Sequence, residues 1–328
     1  MAASHTVSWQ RAEVVDSRPV AERIRRIVLS PEAPRRIEPG MHVDVRVTGG
    51  GEVLERSYSV VEPVGDDGDY ALSVFDSETS RGGARVMHAL RAGDVIDVTD
   101  PRQDFPFRPG APRYAFLAGG VGITAILGMA RAARQRHADY RVAYTGRRRD
   151  AMAYLEDLAA EHGDRLDVHV RDEATPLDVK AYVENLPAGT ELYLCGPIRL
   201  MDAVRRAWAE AGRPVTSLRF ETFGNSGWFA PEPFVVGIPA IGVECRVGPG
   251  QSILEALEAA GVDALSDCRK GECGLCEARV LSLQGTIDHR DVFYSERQRH
   301  AMTKVCVCVS RVSAEGGGTP PRIDLQLT

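Results

Sequence analysis

Three cysteines close to the end of the sequence share a spacing that few protein sites use. Cys268, Cys273 and Cys276 lie in the segment DCRKGECGLCEARV and form a Cys-x4-Cys-x2-Cys pattern. A binuclear iron–sulfur cluster needs four thiolates, and plant-type clusters use this spacing. Gly271 and Gly274 lie inside the loop, where they would let backbone amides approach the cluster. The pattern predicts a [2Fe–2S] cluster in this part of the chain.

The fourth thiolate should come from a more distant segment. Cys306 and Cys308 both qualify, since they lie in the predicted strand VCVCVS. Residues two apart on a strand point to the same face, so this reasoning does not choose between them. Cys245 lies elsewhere and is interpreted as a small core residue.

Two other kinds of site compete with the cluster. Zinc prefers paired Cys-x2-Cys ligands, and the first spacing here does not match that preference. A redox dithiol would need only Cys273 and Cys276, which leaves Cys268 unexplained. Disulfides are not expected, because the seven cysteines are an odd number and the chain is expected to stay in the cytoplasm.

The composition limits the partners of the chain. A length of 328 residues suits two or three domains, and 26% charged residues is ordinary for a globular protein. The net charge of −6 argues against nucleic-acid binding. The sequence shows no apolar run of the ~20 residues that would span a bilayer and no signal peptide at its start. We therefore expect no membrane partner.

Residues 1–110 alternate apolar and polar positions, which is typical of antiparallel strands. The clearest runs lie at 42–47, 56–61, 70–75 and 94–99, with one helix expected near 83–90. This region is predicted to be a β-barrel or sandwich.

Residues 111–223 change to a strand–helix pattern. The predicted strands are 114–120, 141–146, 166–170, 191–196 and 216–223, and the predicted helices are 123–137, 150–163, 176–186 and 198–212. Such alternation predicts a doubly wound parallel sheet.

A linker rich in Gly and Pro is predicted at 224–234, followed by a small domain at 235–328. The small domain has predicted strands at 234–238, 243–247, 305–310 and 322–327 and a helix at 253–261.

Two glycine turns follow strands of the predicted parallel sheet. Gly119, Gly120 and Gly122 come before a helix that Thr124 could cap, and the second turn is YLCGP at 193–197. Ligands of open α/β sheets bind outside the carboxyl ends of the strands, and helix N-termini favour phosphate. The two turns predict a nucleotide crevice. Cys195 is either a core residue or a neighbour of the nicotinamide ring.

A basic and aromatic run, Arg56-Ser57-Tyr58-Ser59, lies in a predicted strand of the first region. An arginine can bind a phosphate in a bidentate manner, and a tyrosine ring offers a flat apolar face. The segment SRGGARVMH adds Arg81 and a glycine pair before a helix. From these residues alone, a surface arginine and a packed tyrosine are a simpler interpretation than a flavin site.

Taken together and in this order, the motifs resemble those of one family. The run R-x-Y-S at 56–59, G-G-V-G-I-T at 119–124 and C-G-P at 195–197 resemble the ferredoxin–NADP⁺ reductase superfamily. The later cysteine domain, with DHRD at 288–291 and CVSR at 308–311, resembles its phthalate dioxygenase reductase family, which includes vanillate O-demethylase reductases. The chain departs from the family pattern at Ala125, because family members often have a proline after Gly-Ile-Thr. This difference removes no backbone N–H that a phosphate would need.

The resemblance implies three domains, namely an antiparallel β-barrel that binds FMN, a doubly wound α/β domain that binds NADH, and an α+β plant-type ferredoxin domain of the β-grasp kind. It implies cofactor contacts in the barrel at Arg56, Ser57, Tyr58, Ser59, Val74, Arg81, Gly83 and Ala84. In the α/β domain it implies contacts at Gly120, Gly122, Thr124, Arg147, Cys195, Gly196 and Pro197. For the cluster it implies Cys268, Cys273, Cys276 and Cys308, because family members have a cysteine at the start of CVSR.

The resemblance further implies that electrons pass from NADH to FMN, to the cluster and then to a terminal oxygenase. That partner is expected to be a Rieske-type oxygenase of aromatic compounds, with a cytochrome P450 as the alternative, and the reductase is expected to be a monomer. Two rivals are an iron–sulfur redox sensor without turnover and an FAD reductase whose cysteines bind zinc. Arg269 and Lys270 suggest docking to an acidic patch. Arg147 follows the second parallel strand, where it could meet the 2′-phosphate of NADPH, and the acidic Asp172 and Glu173 follow the next strand. The sequence therefore does not decide between NADH and NADPH.

Overall fold

The computed structural model describes residues 8–49, 52–77, 82–223, 227–314 and 320–327. It separates the chain into two compact units. The first comprises Met1–Gly196 and Ala203–Glu221, and the second comprises Pro197–Asp202 and Thr222–Thr328. The predicted barrel and parallel sheet both belong to the first unit, so the boundary between them near residue 110 stays a prediction.

The N-terminal part of the first unit is an antiparallel barrel. Its elements are β1 (Trp9–Ala21), β2 (Ile24–Pro31), β3 (Met41–Gly49), β4 (Glu52–Val64), β5 (Asp69–Phe75), α1 (Gly83–Ala89), β6 (Val95–Thr99) and β7 (Arg102–Gln103). Six strands follow the order β4-β5-β2-β1-β6-β3, and pairing of β3 with β4 closes the ring. Val43, Val45, Leu72 and Val98 are buried in its core. The alternating pattern therefore correctly predicted a barrel.

The rest of the first unit is built on five parallel strands. Its elements are β8 (Arg113–Gly119), α2 (Ile123–Gln135), β9 (Tyr140–Gly146), α3 (Leu155–His162), β10 (Leu166–Val170), α4 (Val179–Asn185), β11 (Thr190–Cys195), α5 (Ile198–Glu210) and β12 (Leu218–Glu221). The strand order is β10-β9-β8-β11-β12. The order reverses between β8 and β11, which makes their carboxyl ends the expected ligand crevice. The predicted doubly wound sheet is confirmed.

Two helices and one strand of this α/β fold begin later than predicted. The predicted helix at 150–163 starts only at Leu155, because residues 149–151 form a separate 3₁₀ turn and Tyr154 adopts a left-handed conformation. The helix predicted from Pro176 starts at Val179, because the Asp178 carboxylate accepts the Ala181 N–H at 3.0 Å and caps it. The strand predicted at 216–223 is shortened by a 3₁₀ turn over 215–217.

Ion pairs and hydrogen bonds join the barrel to the parallel sheet within the first unit. Arg131 on α2 forms ion pairs with Glu62 of β4 and with Glu161 of α3, the latter at 2.6 Å. The Ser73 hydroxyl on β5 lies 2.5 Å from the Tyr154 hydroxyl, and both residues are buried. These contacts hold β4, which carries the Arg-Ser-Tyr-Ser run, next to the first helix of the nucleotide fold.

The second unit contains a mixed sheet. Its elements are β13 (Phe234–Ile238), β14 (Val243–Val247), α6 (Ile253–Ala259), β15 (Glu277–Gln284), β16 (Thr286–Asp288), α7 (Glu296–Ala301), β17 (Lys304–Cys306), β18 (Arg311–Ser313) and β19 (Arg322–Leu327). The strand order is β14-β13-β19-β15-β17, with β16 and β18 forming a separate pair. Only the β13–β19 pair of this five-stranded sheet is parallel. The α+β class of this domain is confirmed, while α7, β15, β16 and β18 were not predicted.

Helix α6 packs on the sheet of the second unit. It begins with a capping box formed by Ser252 and Glu255, in which each side chain accepts the backbone N–H of the other residue. Ile253 and Leu257 are fully buried and share one apolar core with the strands of the sheet. Across the described residues of both units, no helix is long and apolar enough to cross a membrane.

Candidate functional site

The cysteine loop between α6 and β15 directs backbone donors toward sulfur. The N–H groups of Lys270, Glu272 and Cys273 point at the Cys268 sulfur over 3.5, 3.4 and 3.4 Å. Donors of this kind stabilise a thiolate, because they satisfy its negative charge. The loop thus has the amide-lined form that the spacing predicts around a sulfur cluster.

Cys276 and Cys308 approach each other closely, with their sulfur atoms 3.1 Å apart. Hydrogen bonding among the Cys306, Cys308 and Cys276 thiols lowers the pKa of Cys276. The bond to Cys276 and burial raise the pKa of Cys308, although the Gly271 N–H that faces its sulfur acts in the opposite direction. The three thiols are therefore close enough to share one negative charge, which suits a site for metal-bound thiolates.

The structure separates Cys306 from Cys308 in a way that the sequence did not predict. The expected strand over 305–310 ends at Cys306, and residues 307–309 form a turn closed by the Ser310 N–H donating to the Cys306 carbonyl at 3.1 Å. The prediction that both side chains share one strand face is therefore wrong. Cys306 lies beside Tyr294 and Asp291, whereas Cys308 lies beside Gly271 and Cys268.

A buried polar segment, Asp288–Asp291, lies behind the loop and is called the DHRD strap here. Its four residues are each less than 8% exposed. Asp288 accepts the Arg290 guanidinium at 2.8 Å and the Trp228 N–H at 2.9 Å. Asp291 accepts the Tyr294 N–H at 3.0 Å and pairs with His289 at 3.2 Å. Because its buried charges are paired, the strap is a rigid support for the loop.

Both glycines of the loop are required by close packing. Gly271 and Gly274 each have a φ of 76°, in the left-handed region that glycine favours. A Cβ on Gly271 would lie 2.8 Å from the Asp291 Cα, and a Cβ on Gly274 would lie 2.3 Å from the Phe293 ring. The loop can therefore rest directly on the segment that follows the DHRD strap.

The donor set of this loop fits a [2Fe–2S] cluster. Across the described ranges, no group of three or more His, Cys, Asp or Glu side chains surrounds a single point as ligands of one metal ion. A binuclear cluster does not need such a group, because its four thiolates are shared between two irons. Cys273 is exposed and Cys276 is buried, so the site has one solvent-facing side. The seven cysteines all lie in the described part of the chain, and none of them forms a disulfide there.

The Arg-Ser-Tyr-Ser run lies on β4, as predicted. Arg56 extends along the start of α1, where a Cβ on Gly83 would come within 3.1 Å of the Arg56 Cγ. Gly83 therefore allows the guanidinium stem to lie against the turn that leads into α1. The Ser57 hydroxyl donates to Asp44 on β3. The Tyr58 ring is half-buried and packs against the barrel core.

The first unit brings the end of this run to the carboxyl edge of the parallel sheet. The buried Ser59 hydroxyl lies 3.5 Å from the carboxylate of Glu221, at the end of β12. Glu221 is only 2% exposed and is in register with Cys195 on β11, which in turn is in register with Ala118 on β8. Glu221 was not among the predicted site residues, although its place at the end of the last parallel strand could have marked it.

The two glycine turns meet at that edge. A Cβ on Gly122 would lie 2.3 Å from the Cys195 carbonyl oxygen and 2.9 Å from the Gly196 nitrogen. Gly120 has a φ of 53°, and its carbonyl accepts the Tyr144 hydroxyl at 3.2 Å. The turn after β8 therefore packs directly against the turn after β11, as the crevice prediction requires.

At this edge, one predicted role is wrong and one of two alternatives is favoured. Thr124 does not cap α2, because its hydroxyl donates to the Val121 carbonyl at 3.0 Å and the N-cap position is Gly122. The Cys195 side chain is fully buried, which favours the core interpretation of its thiol. Its backbone, together with Gly196, still forms the turn at the crevice, and Pro197 is exposed.

Three arginines follow β9, where the second strand of the nucleotide fold ends. Arg147 lies 3.8 Å from the Asp172 carboxylate, and Arg149 forms two bonds of 2.9 and 2.7 Å to Glu173. Arg148 pairs with Asp150 and with Glu22, the latter at 3.4 Å. Each of the three arginines therefore has an acidic partner, so this edge carries little free positive charge.

The remaining predicted flavin contacts are Val74, Ala84 and Arg81. Val74 is buried in the barrel core, and its carbonyl accepts the His88 ring nitrogen at 2.8 Å. Ala84 packs against the same core at the start of α1. Arg81 lies outside the described residues. The Arg56 guanidinium, the Ser59 hydroxyl and the Tyr58 ring thus supply the polar donors and the flat apolar surface that fit a flavin mononucleotide.

Two family models match the chain. The first, described as the N-terminal domain of dimethylamine monooxygenase subunit DmmA-like proteins, covers residues 96–218. The second, described as a 2Fe-2S iron–sulfur cluster binding domain, covers residues 238–313 and so includes all four predicted cluster cysteines.

Individual proteins extend this similarity over most of the chain. The phenoxybenzoate dioxygenase subunit beta of Ectopseudomonas oleovorans is 34% identical over 83% of this chain and 84% of its own length. The structure of phthalate dioxygenase reductase, described as modular for electron transfer from pyridine nucleotides to [2Fe-2S], matches with a TM-score of 0.74 and 29% identity over 98% of each chain. An intact type IV self-sufficient cytochrome P450 monooxygenase matches with a TM-score of 0.65 and 33% identity over 97% of this chain, which spans 41% of that larger one.

Proposed function

Because this chain belongs to the phthalate dioxygenase reductase family, we propose that it delivers electrons from NADH to a Rieske-type terminal oxygenase that acts on an aromatic compound. The protein is an oxidoreductase, the reductase component of an oxygenase system, with FMN, NADH and a [2Fe–2S] cluster as its cofactors. When bound, FMN would supply the conversion between the two-electron chemistry of NADH and the one-electron chemistry of the cluster.

The observation that best supports the proposal is the contact between Ser59 and Glu221. It places the end of the Arg-Ser-Tyr-Ser run at the edge where Gly122 and Cys195 meet. A flavin held by β4 and a nicotinamide held by the two turns would then share one crevice, which direct hydride transfer needs. Within that crevice, Arg56 would bind the FMN phosphate, and Tyr58 and Ser59 would orient the ring system.

For the cluster we propose Cys268, Cys273, Cys276 and Cys308 as ligands. Cys268 receives three backbone N–H groups, and the Cys308 sulfur faces Cys276 and the Gly271 N–H. These donors would stabilise the charge on the thiolates and influence the reduction potential. The exposed position of Cys273 supports an exit for electrons on that side.

An anaerobic titration with NADH tests the catalytic proposal. We expect NADH to bleach the flavin absorbance and then to reduce the cluster, with iron and sulfide present in equal amounts. A redox sensor without turnover would leave the flavin oxidised. A zinc-binding FAD reductase would contain zinc without iron, and heat would release FAD instead of FMN.

A cytochrome P450 is the second candidate acceptor, because the chain is similar over almost its whole length to part of a self-sufficient P450. Reduction assays with a purified Rieske-type aromatic-ring oxygenase and with a bacterial P450 separate the two. We expect the Rieske protein to be reduced at the higher kcat/KM. A higher value for the P450 would reverse the choice of acceptor and leave the reductase activity unchanged.

We also propose that NADH is preferred over NADPH. The 2′-phosphate that distinguishes NADPH would meet the end of β9, where Asp172 and Glu173 already neutralise Arg147 and Arg149. The phosphate would have to displace these carboxylates and would be repelled by them, whereas a ribose hydroxyl would not.

Neutralising both carboxylates should therefore weaken this discrimination. We expect the D172N/E173Q double variant to raise kcat/KM for NADPH about fivefold relative to NADH, because each exposed ion pair is worth ~0–1 kcal/mol. Ferricyanide reduction by each dinucleotide measures the ratio. The control D164N removes one carboxylate at the other end of β10 and should leave the ratio unaltered. An unchanged ratio in the double variant would contradict the assignment.

We further propose that the protein acts as a cytoplasmic monomer. An odd number of cysteines, three of them in the spacing of a metal cluster, suits a reducing compartment better than an oxidising one. Size-exclusion chromatography with light scattering tests the monomer, for which we expect a mass near the 35.7 kDa of one chain.

A further inference from the structure

We propose that Leu275 and Phe293 form an apolar docking rim beside the cluster loop, on which an uncharged, apolar face of the terminal oxygenase sits. The proposal rests on the proposed function, since it names the surface through which that function would reach its acceptor. It concerns the second unit alone. The name apolar rim is used below for these two side chains.

The two side chains flank the exposed part of the loop. Leu275 is 48% exposed and Phe293 is 43% exposed, which is unusual for large apolar side chains beside a buried cysteine. The Phe293 ring rests on the backbone of Gly274, where a Cβ would come within 2.3 Å of the ring. Gly274 and Leu275 separate Cys273 from Cys276, so the apolar rim directly adjoins two of the proposed ligands.

Phe293 is held in this position by its surroundings. The next residue, Tyr294, is buried, and its hydroxyl donates to Glu277 at 3.0 Å. The preceding residue, Val292, is also buried, and its N–H donates to the Gly271 carbonyl at 3.0 Å. The chain on both sides of Phe293 is therefore anchored, and its ring lies edge-on against Tyr294 with the ring centroids 5.2 Å apart, which lowers the entropic cost of docking.

Charged neighbours of the apolar rim are engaged within the second unit. Arg269 forms an ion pair with Glu258, in which the nearer guanidinium nitrogen lies 2.6 Å from a carboxylate oxygen. The Glu272 carboxylate accepts the Thr222 N–H at 2.7 Å. An acidic patch on a partner would have to compete with Glu258 for Arg269. This finding argues against the docking role expected for Arg269 and Lys270 and favours a partner surface that is apolar around its own redox centre.

Electron transfer also favours the apolar rim as the contact surface. Cys273 is the exposed cysteine among the four proposed ligands, so a partner must approach on its side to come close to the cluster. Large apolar side chains beside such a centre would exclude water from the contact, as the residues around the centre of a protein interface do. Because the exposed side chains of the apolar rim are uncharged, the partner surface that fits them is apolar.

Reduction of a purified Rieske-type aromatic-ring oxygenase by the holoenzyme with NADH tests the apolar rim. We expect L275S and F293S each to lower kcat/KM for the oxygenase about tenfold, while F293L retains most of the wild-type value. Reduction of ferricyanide, a small acceptor that needs no docking surface, should be unchanged in all three variants. The matched control L281S removes a leucine of similar exposure, 50%, on β15.

The dependence on salt supplies an independent readout. Between about 50 and 500 mM NaCl we expect the wild-type kcat/KM for the oxygenase to change less than about twofold, since the contact would be apolar. Normal oxygenase reduction by both serine variants would overturn the apolar rim and leave the proposed function intact, and so would a steep loss of rate with salt that R269E/K270E abolishes. Failure of the wild-type protein to reduce the oxygenase, with ferricyanide reduction intact, would overturn the choice of partner and the apolar rim together.

Discussion

Replacing Cys308 by serine is expected to abolish the [2Fe–2S] cluster, whereas replacing Cys306 by serine is expected to leave it in place. The Cys308 sulfur lies 3.1 Å from the Cys276 sulfur and faces the Gly271 N–H inside the cysteine loop. The Cys306 thiol also bonds to Cys276, but Cys306 is the last residue of β17, is fully buried beside Tyr294 and Asp291, and does not face the cysteine loop as Cys308 does. A hydroxyl is a poor substitute for a thiolate toward iron, so the C308S variant should lose a required ligand.

Iron and sulfide analysis, together with the electron paramagnetic resonance signal of the reduced protein, measures this outcome. C308S should retain its flavin and its NADH–ferricyanide activity, because the barrel and the parallel sheet do not contain the substituted residue. C306S should keep iron and sulfide and lose about 1–3 kcal/mol of stability, because a hydroxyl is placed in an apolar core. Loss of the cluster in C306S with retention in C308S would reverse the assignment.

The second large effect is expected from Gly122→Ala. The added Cβ would lie 2.3 Å from the Cys195 carbonyl oxygen and 2.5 Å from its carbonyl carbon, both of which are rigid backbone atoms. The turns after β8 and β11 must separate to relieve this overlap. We expect a loss of about 2–4 kcal/mol in unfolding free energy and at least about a tenfold fall in kcat/KM for NADH. Chemical denaturation and ferricyanide reduction measure the two effects.

Gly128→Ala is the matched control on the same helix. Its Cβ would meet the Val61 carbonyl at 3.4 Å and Pro39 at 3.6 Å, which are near ordinary contact distances. Alanine favours a helix interior over glycine by ~0.5–1 kcal/mol, so stability should be unchanged or slightly higher. If Gly122→Ala behaved like this control, direct packing of the two turns could not be what holds the crevice together.

The three kinds of fold, barrel, parallel sheet and mixed sheet, were predictable because each region has its own periodicity. Alternation at Val43, Val45 and Val47 reflects the closed barrel, in which one face of each strand is buried. The strand–helix pattern from residue 111 onward reflects a parallel sheet that needs crossover helices. Errors were concentrated at helix starts such as Leu155 and Val179, where a 3₁₀ turn or an aspartate cap sets the boundary.

The site was predictable only where its residues are close together in the sequence. The cysteine loop and the glycine turns depend on neighbours in sequence, so spacing was enough to find them. Glu221 became visible only when the fold placed it 3.5 Å from Ser59, which is 162 positions earlier in the chain. The different surroundings of Cys306 and Cys308 depend on a turn at 307–309 that interrupts an apolar run, and alternation alone does not reveal such a turn.

The central position of β19 has a consequence for the order in which the protein matures. This strand, Arg322–Leu327, lies between β13 and β15 in the middle of the C-terminal sheet, and it pairs Arg322 with Val235, far back in the sequence. Pairings between such distant segments form slowly, because the long intervening chain must be ordered before the contact is made. The barrel depends on a pairing of similar span, since Trp9 of β1 pairs with Thr99 of β6.

Until β19 is in place, β15, which follows the cysteine loop directly, lacks one of its two partner strands. The loop is then without the rigid base on which its thiolates depend, so iron and sulfide would enter only after β19 has paired with β15. A chain arrested at this stage would be a flavoprotein that NADH reduces but that cannot pass its electrons on.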